Sequence, residues 1–528
     1  MKPRTLMLGG SHFAVEELNP SATWLDRLRL LKPNWWIHAA MLVGIAIGFF
    51  HGWLKIVIRS PITTFAVDIF LMIALLGIVA RKDARDRLLP AGAVGSALTG
   101  FYLLCVGYLF LGLAIPGSPP LLLAAVAVRG WCFATLMFVV GYHLIRSGDQ
   151  LRAYFLWIVV LGLVTAVYGI RQTPEDVARI IQAIPELRIQ YETQRYVDEA
   201  GNLQLRRFST FISSGAFGGT MSSVAIIALA MFTDPGSSKR DRVFFLIAAV
   251  PMTYAISLSG ARSALISAGI GFLFLLMFRR SFTLLAVALA VMVVGVALGS
   301  SQTGGGALDR IKTLQESGGI WSRFWIPTSV GVEYAAQNPL GGGLGKTGHL
   351  PAFLVGRSGY SDFVQADGDL GRLLIELGLP GLLSYGWLLA AAGLQALRVS
   401  RQTGGTPNNC LALACSAMFV LSLITFPTGS PFVGIPMGLL VWFFFGATLR
   451  LAEQHQPLRQ DVLAARGRPT IAENTPAGNA EPRPMPGRRR FLYASTNSAS
   501  PSSAPERSPS GASRSGHRRL FSRPPKES

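Results

Sequence analysis

The sequence predicts an all-α polytopic membrane protein with about twelve transmembrane helices, both termini cytoplasmic, and a large periplasmic loop between spans nine and ten. Three observations carry that prediction. Half of the 528 residues are hydrophobic and only 14% are charged, against about 25% charged in soluble domains. The apolar residues are gathered in blocks near the length that crosses about 30 Å of hydrocarbon. Basic residues also cluster in alternate short connections, as topology signals do. A transmembrane β-barrel would need short segments of alternating polarity, which are absent.

Residues 1–35 lack the apolar core and small-residue cleavage site of a signal peptide, and read as a cytoplasmic N-terminal segment. Within it Ala22–Leu31 alternates Trp24, Leu25, Leu28, Leu30 and Leu31 with Arg27 and Arg29, which suits a short helix in the membrane interface. Trp35 and Trp36 mark the headgroup level where the first span begins. Spans are expected at 36–54, 61–80, 91–114, 121–144, 152–170, 210–232, 243–258, 262–278, 282–299, 370–397, 409–426 and 431–449. With the N-terminus inside, the basic runs Arg81–Arg87, Arg146/Arg152, Lys239–Arg242, Arg279-Arg280 and Arg398/Arg401 all face the cytoplasm, as the positive-inside rule requires.

This membrane domain, 36–452, leaves two sizeable loops outside, 171–209 and 300–369. Pro174–Ile189 has helical character and opens with proline and two acids. A second short helix is expected at Ile320–Gln337, ended by Asn338-Pro339. From residue 453 to 528 the apolar blocks stop, and Pro, Ser, Ala, Gly and Arg dominate. Such a tail buries too little surface to fold, so it reads as a disordered basic cytoplasmic segment. Its arginines either attract anionic lipid or stay solvated.

The net charge of +20 comes largely from that tail and from the short loops. Nucleic-acid binding is not expected, because no folded basic module accompanies the charge. Cys105, Cys132, Cys410 and Cys415 all lie in apolar segments and read as small buried side chains. No histidine or cysteine pair has zinc-ligand spacing, so no metal site is expected.

The loop at 300–369 concentrates the residues that carry chemistry, and long connections between spans are uncommon without a role. Arg206 and Arg207 precede span six, Arg262 opens span eight, Arg323 sits in the loop and Arg372 begins span ten. Arginine is disfavoured on the outer face, so a set of them there calls for an explanation. A guanidinium holds phosphate oxygens bidentately, and several would stabilise a departing diphosphate. For any one of them, snorkelling or pairing with a carboxylate is the alternative. Asp367 and Asp369 precede span ten, where one caps the helix and one is a candidate general base for a sugar hydroxyl. Asp369, Arg372 and Glu376 share a helix face, and for Glu376 an internal salt bridge is the expectation. GGGLGKTG is not a P-loop, since Leu340 stands where glycine is needed; it reads as a turn that lets main chain approach a substrate. His349 after it reads as a surface residue. Asp68 and Arg129 are charges within spans, and either pair with each other or line the route of a polar substrate.

Several of these positions fall in a known order. They are Arg207-Phe208-Ser209-Thr210-Phe211 before span six and Ser259-Gly260-Ala261-Arg262 at span eight. Arg323 and Trp325 follow in the loop, then Asn338-Pro339-Leu340-Gly341 through Gly343 to Gly345, then Glu376, Gly378 and Gly381. The chain resembles the O-antigen ligase and O-antigen polymerase superfamily of bacterial inner-membrane glycosyltransferases, most specifically over Ser257–Leu389. Ligases of that family carry His-Asn nine residues before the glutamate, where this chain has Asp367-Gly368. That departure favours a polymerase of exopolysaccharide, O-antigen or capsule repeat units. The resemblance implies an undecaprenyl-diphosphate-linked donor and acceptor, with diphosphate binding by Arg207 and Arg262. It implies no cofactor, and as partners membrane lipids, chain-length regulators and export proteins. Asp367 as base is inferred from its position. The alternatives are a ligase or protein O-oligosaccharyltransferase, and, in another class, a transporter or flippase for a glycolipid or other anion.

Overall fold

A computed structural model describes residues 34–58, 65–81, 88–112, 117–183, 203–302, 319–347, 360–366, 368–403 and 408–467, with the short strands 5–8, 11–14 and 195–197 and a few isolated positions. The expected interfacial helix at Ala22–Leu31 and the tail beyond 467 lie outside the described residues. Helices dominate. They are α1 Trp35–Phe49, α2 His51–Ile58, α3 Ala66–Val79, α4 Ala93–Leu111, α5 Leu121–Leu144, α6 Gly148–Arg171, α7 Pro174–Ala183 and α8 Ser214–Phe232. There follow α9 Lys239–Ser259, α10 Arg262–Arg279, α11 Phe282–Gln302, α12 Gly319–Gln337, α13 Gly368–Gln402, α14 Asn409–Thr425 and α15 Met437–Gly467. Two small antiparallel hairpins, β1–β2 (Thr5–Leu8 with Ser11–Ala14) and β3–β4 (Arg195–Val197 with Leu203–Leu205), are added.

Local chemistry sets several boundaries. Ser147 and Ser213 cap α6 and α8, each accepting the N–H three residues on, and Ser238 with Asp241 forms a capping box on α9. Gly260, with φ of 60°, ends α9 in the left-handed conformation. Between α6 and the α8 segment, α7 opens on Pro174, Glu175 and Asp176 as expected. Asp176 and Thr173 bond each other's N–H and hydroxyl groups. Those bonds hold the exposed Asp176 carboxyl below its ordinary value.

Helices occupy the position of every expected span, and the protein is a helical multi-pass membrane protein. Among the described residues eight helices are long and apolar enough to cross, nine if α1 and α2 form one bent span. The first expected span, 36–54, is bent by 78° between α1 and α2. At 14 residues α3 is short, covering about 21 Å at 1.5 Å per residue, less than the hydrocarbon thickness. The bundle core is aromatic around Phe419, Phe432, Trp442 and Phe445.

Helix ends sort into two groups. At the end where the two long connections leave, Thr210 joins Phe49 and Trp53, Arg207 joins Ile170 and Leu258, and Asp369 joins Gly429 and Phe432. At the other end the fully buried Arg152 guanidinium pairs with Asp234 at 2.7 Å and Asp149 at 2.8 Å, and Arg279 donates to the Thr233 carbonyl at 2.6 Å. Within the bundle Arg129 and Asp68 pair with each other at 2.5 Å, the first of the two roles the sequence allowed.

Candidate functional site

The long helix α13 is broken at Gly378, whose φ of 60° and ψ of −152° suit glycine and strain other residues. In an unbroken helix the Leu379 N–H would donate to the Ile375 carbonyl. Here Leu379 N–H donates to Pro339 O at 2.8 Å, and the Ile375 carbonyl accepts from Gly342 N–H at 2.8 Å. Pro380, next in sequence, has no N–H to give to Glu376 O. The turn Asn338–Thr347 therefore completes the break. The fit leaves no room for side chains: a Cβ on Gly378 would stand 2.3 Å from Pro339 O, and one on Gly341 2.7 Å from Gly378 N. The connection between α4 and α5 holds the turn from the other side. Tyr108 OH donates to Leu340 O at 2.9 Å and Ser118 Oγ to Gly342 O at 3.3 Å.

Just before the break lies Glu376, fully buried. Its carboxylate accepts from Trp131 Nε1 at 2.8 Å on α5, from Thr347 Oγ1 at 2.5 Å at the end of the turn, and from Arg372 Nε at 3.2 Å one helical turn away. The Arg372 guanidinium lies over the Trp131 ring, 4.9 Å from its centroid, and close to Gly130, where a Cβ would stand 3.1 Å from it. A buried carboxylate is stable only when its lone pairs are met, and here one carboxylate ties two helices and a loop. The expected internal salt bridge is present, and Trp131 and Thr347 enlarge it.

Lys346, 5% exposed, brings residues 360–364 onto the same turn. Its ammonium donates to Asp362, to Tyr360 OH at 2.8 Å and to Gly117 O at 3.2 Å, and Val364 N–H donates to Lys346 O at 2.9 Å. Burial alone would lower the Lys346 pKa; the bonds to Asp362 and Tyr360 outweigh it and raise the value.

A second constellation surrounds residues 206–213. Arg207 Nη1 donates to the Ile170 carbonyl at 2.6 Å, meeting an otherwise unsatisfied acceptor of the last turn of α6. Arg207 N–H approaches Leu258 O at 3.4 Å, four residues before Arg262 opens α10. Gln172 Oε1 accepts from the Phe208 and Ser209 N–H groups, and Ser209 Oγ donates to Thr165 O. Thr210 repairs the bend between α1 and α2. Its Oγ1 donates to Phe49 O at 2.6 Å, and its carbonyl accepts from Trp53 N–H at 3.1 Å. Phe49 and Trp53 would have bonded each other in a continuous helix. Phe208 packs with Val177, Ile180 and Ile181 of α7 in a small separate core.

The structure thus brings Arg206, Arg207 and the start of α10 with Arg262 to one end of the bundle; both Arg206 and Arg262 are half-buried there. Arg323 lies in α12, its side chain outside the described residues, and Trp325 on that helix is 49% exposed. Asp367, like His349, lies outside the described residues. Asp369 and Arg372 point inward. Asp369 Oδ2 accepts from Phe432 N–H at 3.1 Å and its own N–H donates to Gly429 O at 2.8 Å, so Asp369 does not cap its own helix, as one of the two aspartates was expected to, but ties the first turn of α13 to the segment before α15. Sequence reasoning missed Trp131 and Thr347, which carry no signal inside an apolar block and a glycine turn, and named Thr210 only as part of the Arg207–Phe211 motif, without its role at the bend. Among the described residues no group of three or more His, Cys, Asp or Glu side chains is placed to hold a metal, and the four cysteines are free.

The fold is that of a multi-pass helical membrane protein, with arginines and a buried glycine turn at its long-loop end. The O-antigen ligase family model matches residues 247–386, from α9 through the glycine turn and the break in α13. That match supports a place in the O-antigen ligase and polymerase superfamily and suggests glycosyltransferase-like activity on lipid-linked glycans. Among curated proteins none matches the chain in sequence.

Proposed function

We propose that the protein polymerises polyprenyl-diphosphate-linked oligosaccharide repeat units of an exopolysaccharide, O-antigen or capsule, at the periplasmic face of the bacterial inner membrane. The observation that carries this reading is the junction of two segments. Residues 247–386, which match the family, are joined to the Arg206–Arg207 strap where Arg207 N–H meets Leu258 O. The acceptor hydroxyl attacks the anomeric carbon of the donor glycan, and its proton passes to Asp367. The polyprenyl diphosphate leaves with its negative charge met by Arg207, Arg262, Arg206 and Arg323. Trp325 offers an exposed ring face beside the sugar. Asp369 and Arg372 support the site from beneath, through Phe432 and Glu376. The leaving group is already activated, so Arg can serve where other enzymes use a cation.

The twelve-span, N-in and C-in topology belongs to this proposal, with residues 1–35 and 453–528 on the cytoplasmic side of the 36–452 domain. The sorting of helix ends supports it. The buried Arg152 and Asp234 pair lies at the end assigned to the cytoplasm, and the Arg207 strap at the opposite one.

A ligase that passes finished glycan to another acceptor is the second reading, favoured by the description of the matched family as O-antigen ligase. Against it stands Asp367-Gly368 where family ligases carry His-Asn. The lipid-linked glycan profile of a deletion strain separates them. Accumulated single repeat units support the polymerase. Full-length polymer left unattached supports the ligase, and normal long attached polymer contradicts both.

A further inference from the structure

The glycine turn has a backbone pattern that its role in the helix break does not use up. Gly341, Gly343 and Gly345 have φ of 77°, 91° and 89°, and the residues between them, Gly342, Leu344 and Lys346, do not have positive φ. Alternation of this kind turns successive main-chain N–H groups towards one concave side, forming an anion-binding nest, and glycine adopts the positive half of it without strain. The first donors of the series have acceptors. Gly341 N–H meets Asn338 O and Gly342 N–H meets Ile375 O, the carbonyl freed by the break in α13. Lys346 N–H reaches Gly343 O at 3.3 Å. For Gly343, Leu344 and Gly345, no acceptor meets the N–H among the described residues, although all three residues are buried. Buried main-chain donors without acceptors are rare in folded proteins. Three in succession, beside the buried Lys346 ammonium, mark a place where an acceptor belongs.

We infer that residues 341–347 form a second anion site, in which main-chain N–H groups cradle a phosphoryl oxyanion of the lipid-linked acceptor. The inference rests on the polymerase reading and deepens it. A polymerase joins two lipid-linked substrates, so two diphosphates must be held at once. The arginine constellation is built on α1–α2, α6, α8, α9 and α10, whereas the turn is held by the α4–α5 connection, α12 and α13. Only α12, which also carries Arg323, is common to both, so the two sites can be filled together. Neutral N–H donors suit the acceptor, whose diphosphate keeps its charge unchanged through the reaction. Cationic guanidinium groups suit the donor, whose diphosphate gains charge as it leaves. A ligase has no need of a second polyprenyl diphosphate site.

The test uses the full-length protein in nanodiscs of zwitterionic lipid, with farnesyl diphosphate as the probe. Wild type is expected to bind two equivalents, and Arg262→Ala to keep one of them with affinity unchanged. Gly343→Ala, which forces a side chain onto a left-handed position beside Ser118, is expected to weaken one equivalent about tenfold or more. Hydrogen exchange of the 341–347 peptide in wild type needs no substitution in the turn, and is expected to slow when the probe is added. One equivalent in wild type, or no protection of the peptide, overturns the inference. Protection by phosphatidylglycerol in the disc with none from farnesyl diphosphate also overturns it, assigning the cradle to a lipid headgroup. If the peptide is unprotected while Arg262→Ala still abolishes polymer in cells, the second site falls and the polymerase stands. Two equivalents bound by a protein whose deletion leaves long attached polymer would reverse that outcome.

Discussion

Ile375 and Leu379 stand four residues apart in α13 yet do not bond each other: the carbonyl of one and the N–H of the other are both taken by the turn that contains Gly342 and Pro339. Phe49 and Trp53 repeat the relationship across the bend between α1 and α2, with Thr210 supplying both the hydroxyl donor and the carbonyl acceptor. Broken helices within a bilayer are tolerated where other groups satisfy the freed main chain. The break in α13 is satisfied by a turn within the family-matched stretch 247–386, and the α1–α2 bend by the strap at 206–211. At each break, loop and helix therefore form one hydrogen-bonded unit.

Substituting Gly378 tests that unit. Gly378→Ala puts a side chain on a backbone conformation essentially reserved for glycine, at a cost of about 1–3 kcal/mol, and adds a clash with Pro339 O, so the folded protein should melt well below wild type. Gly386→Ala, further along α13 with open space around it, should be neutral or stabilising by up to about 1 kcal/mol. Thermal unfolding in detergent compares the two; equal melting would remove the interlock from the account.

Much of this architecture was legible in the sequence, because the signals were local. Apolar blocks placed the helices, and Pro174 with its two acids and Asn338-Pro339 bounded α7 and α12. Two charges in apolar segments, Asp68 and Arg129, foretold their pairing. The first-span bend was not legible, since the groups that satisfy it come from Thr210, far along the chain. Pro380 did signal a weak point in α13, one residue past Leu379. What no local pattern gives is the partner that fills a break, and so the junction of turn, Trp131 and Glu376 was hidden.

Removing one member of the buried knot should cost more than removing two. Glu376→Ala leaves the Arg372 guanidinium buried without its carboxylate, a change worth about 3–5 kcal/mol. Glu376→Leu combined with Arg372→Met should recover part of that loss, since an apolar pair of similar volume avoids the unpaired charge. Denaturant unfolding of the single and double variants measures the coupling. Simple additivity would show that the pair is not the unit described.

Thr210→Val removes the hydroxyl that meets Phe49 O and leaves the carbonyl bond to Trp53 intact. The loss expected is about 1–3 kcal/mol, the penalty for an unsatisfied buried acceptor, and the same unfolding measurement reads it. Thr210→Ser keeps the hydroxyl and should recover most of it.

The Lys346 latch has a defined pH window. Its pKa in the folded protein is raised above the ordinary 10.5, so its stabilisation is complete below that value and is lost as pH rises through the raised one. The difference in melting between wild type and Lys346→Met should be constant from about pH 7 to 10 and shrink only above that. A difference that fades between about pH 7 and 9 would contradict the assignment.

The most direct measurement is the lipid-linked glycan profile of a deletion strain complemented with wild type, Asp367→Asn or Arg262→Ala, at matched membrane levels. Wild type is expected to restore long chains while both variants leave single repeat units. Long chains made by both variants would contradict that, and would return Arg262 to snorkelling at the membrane surface and Asp367 to a structural place at the start of α13.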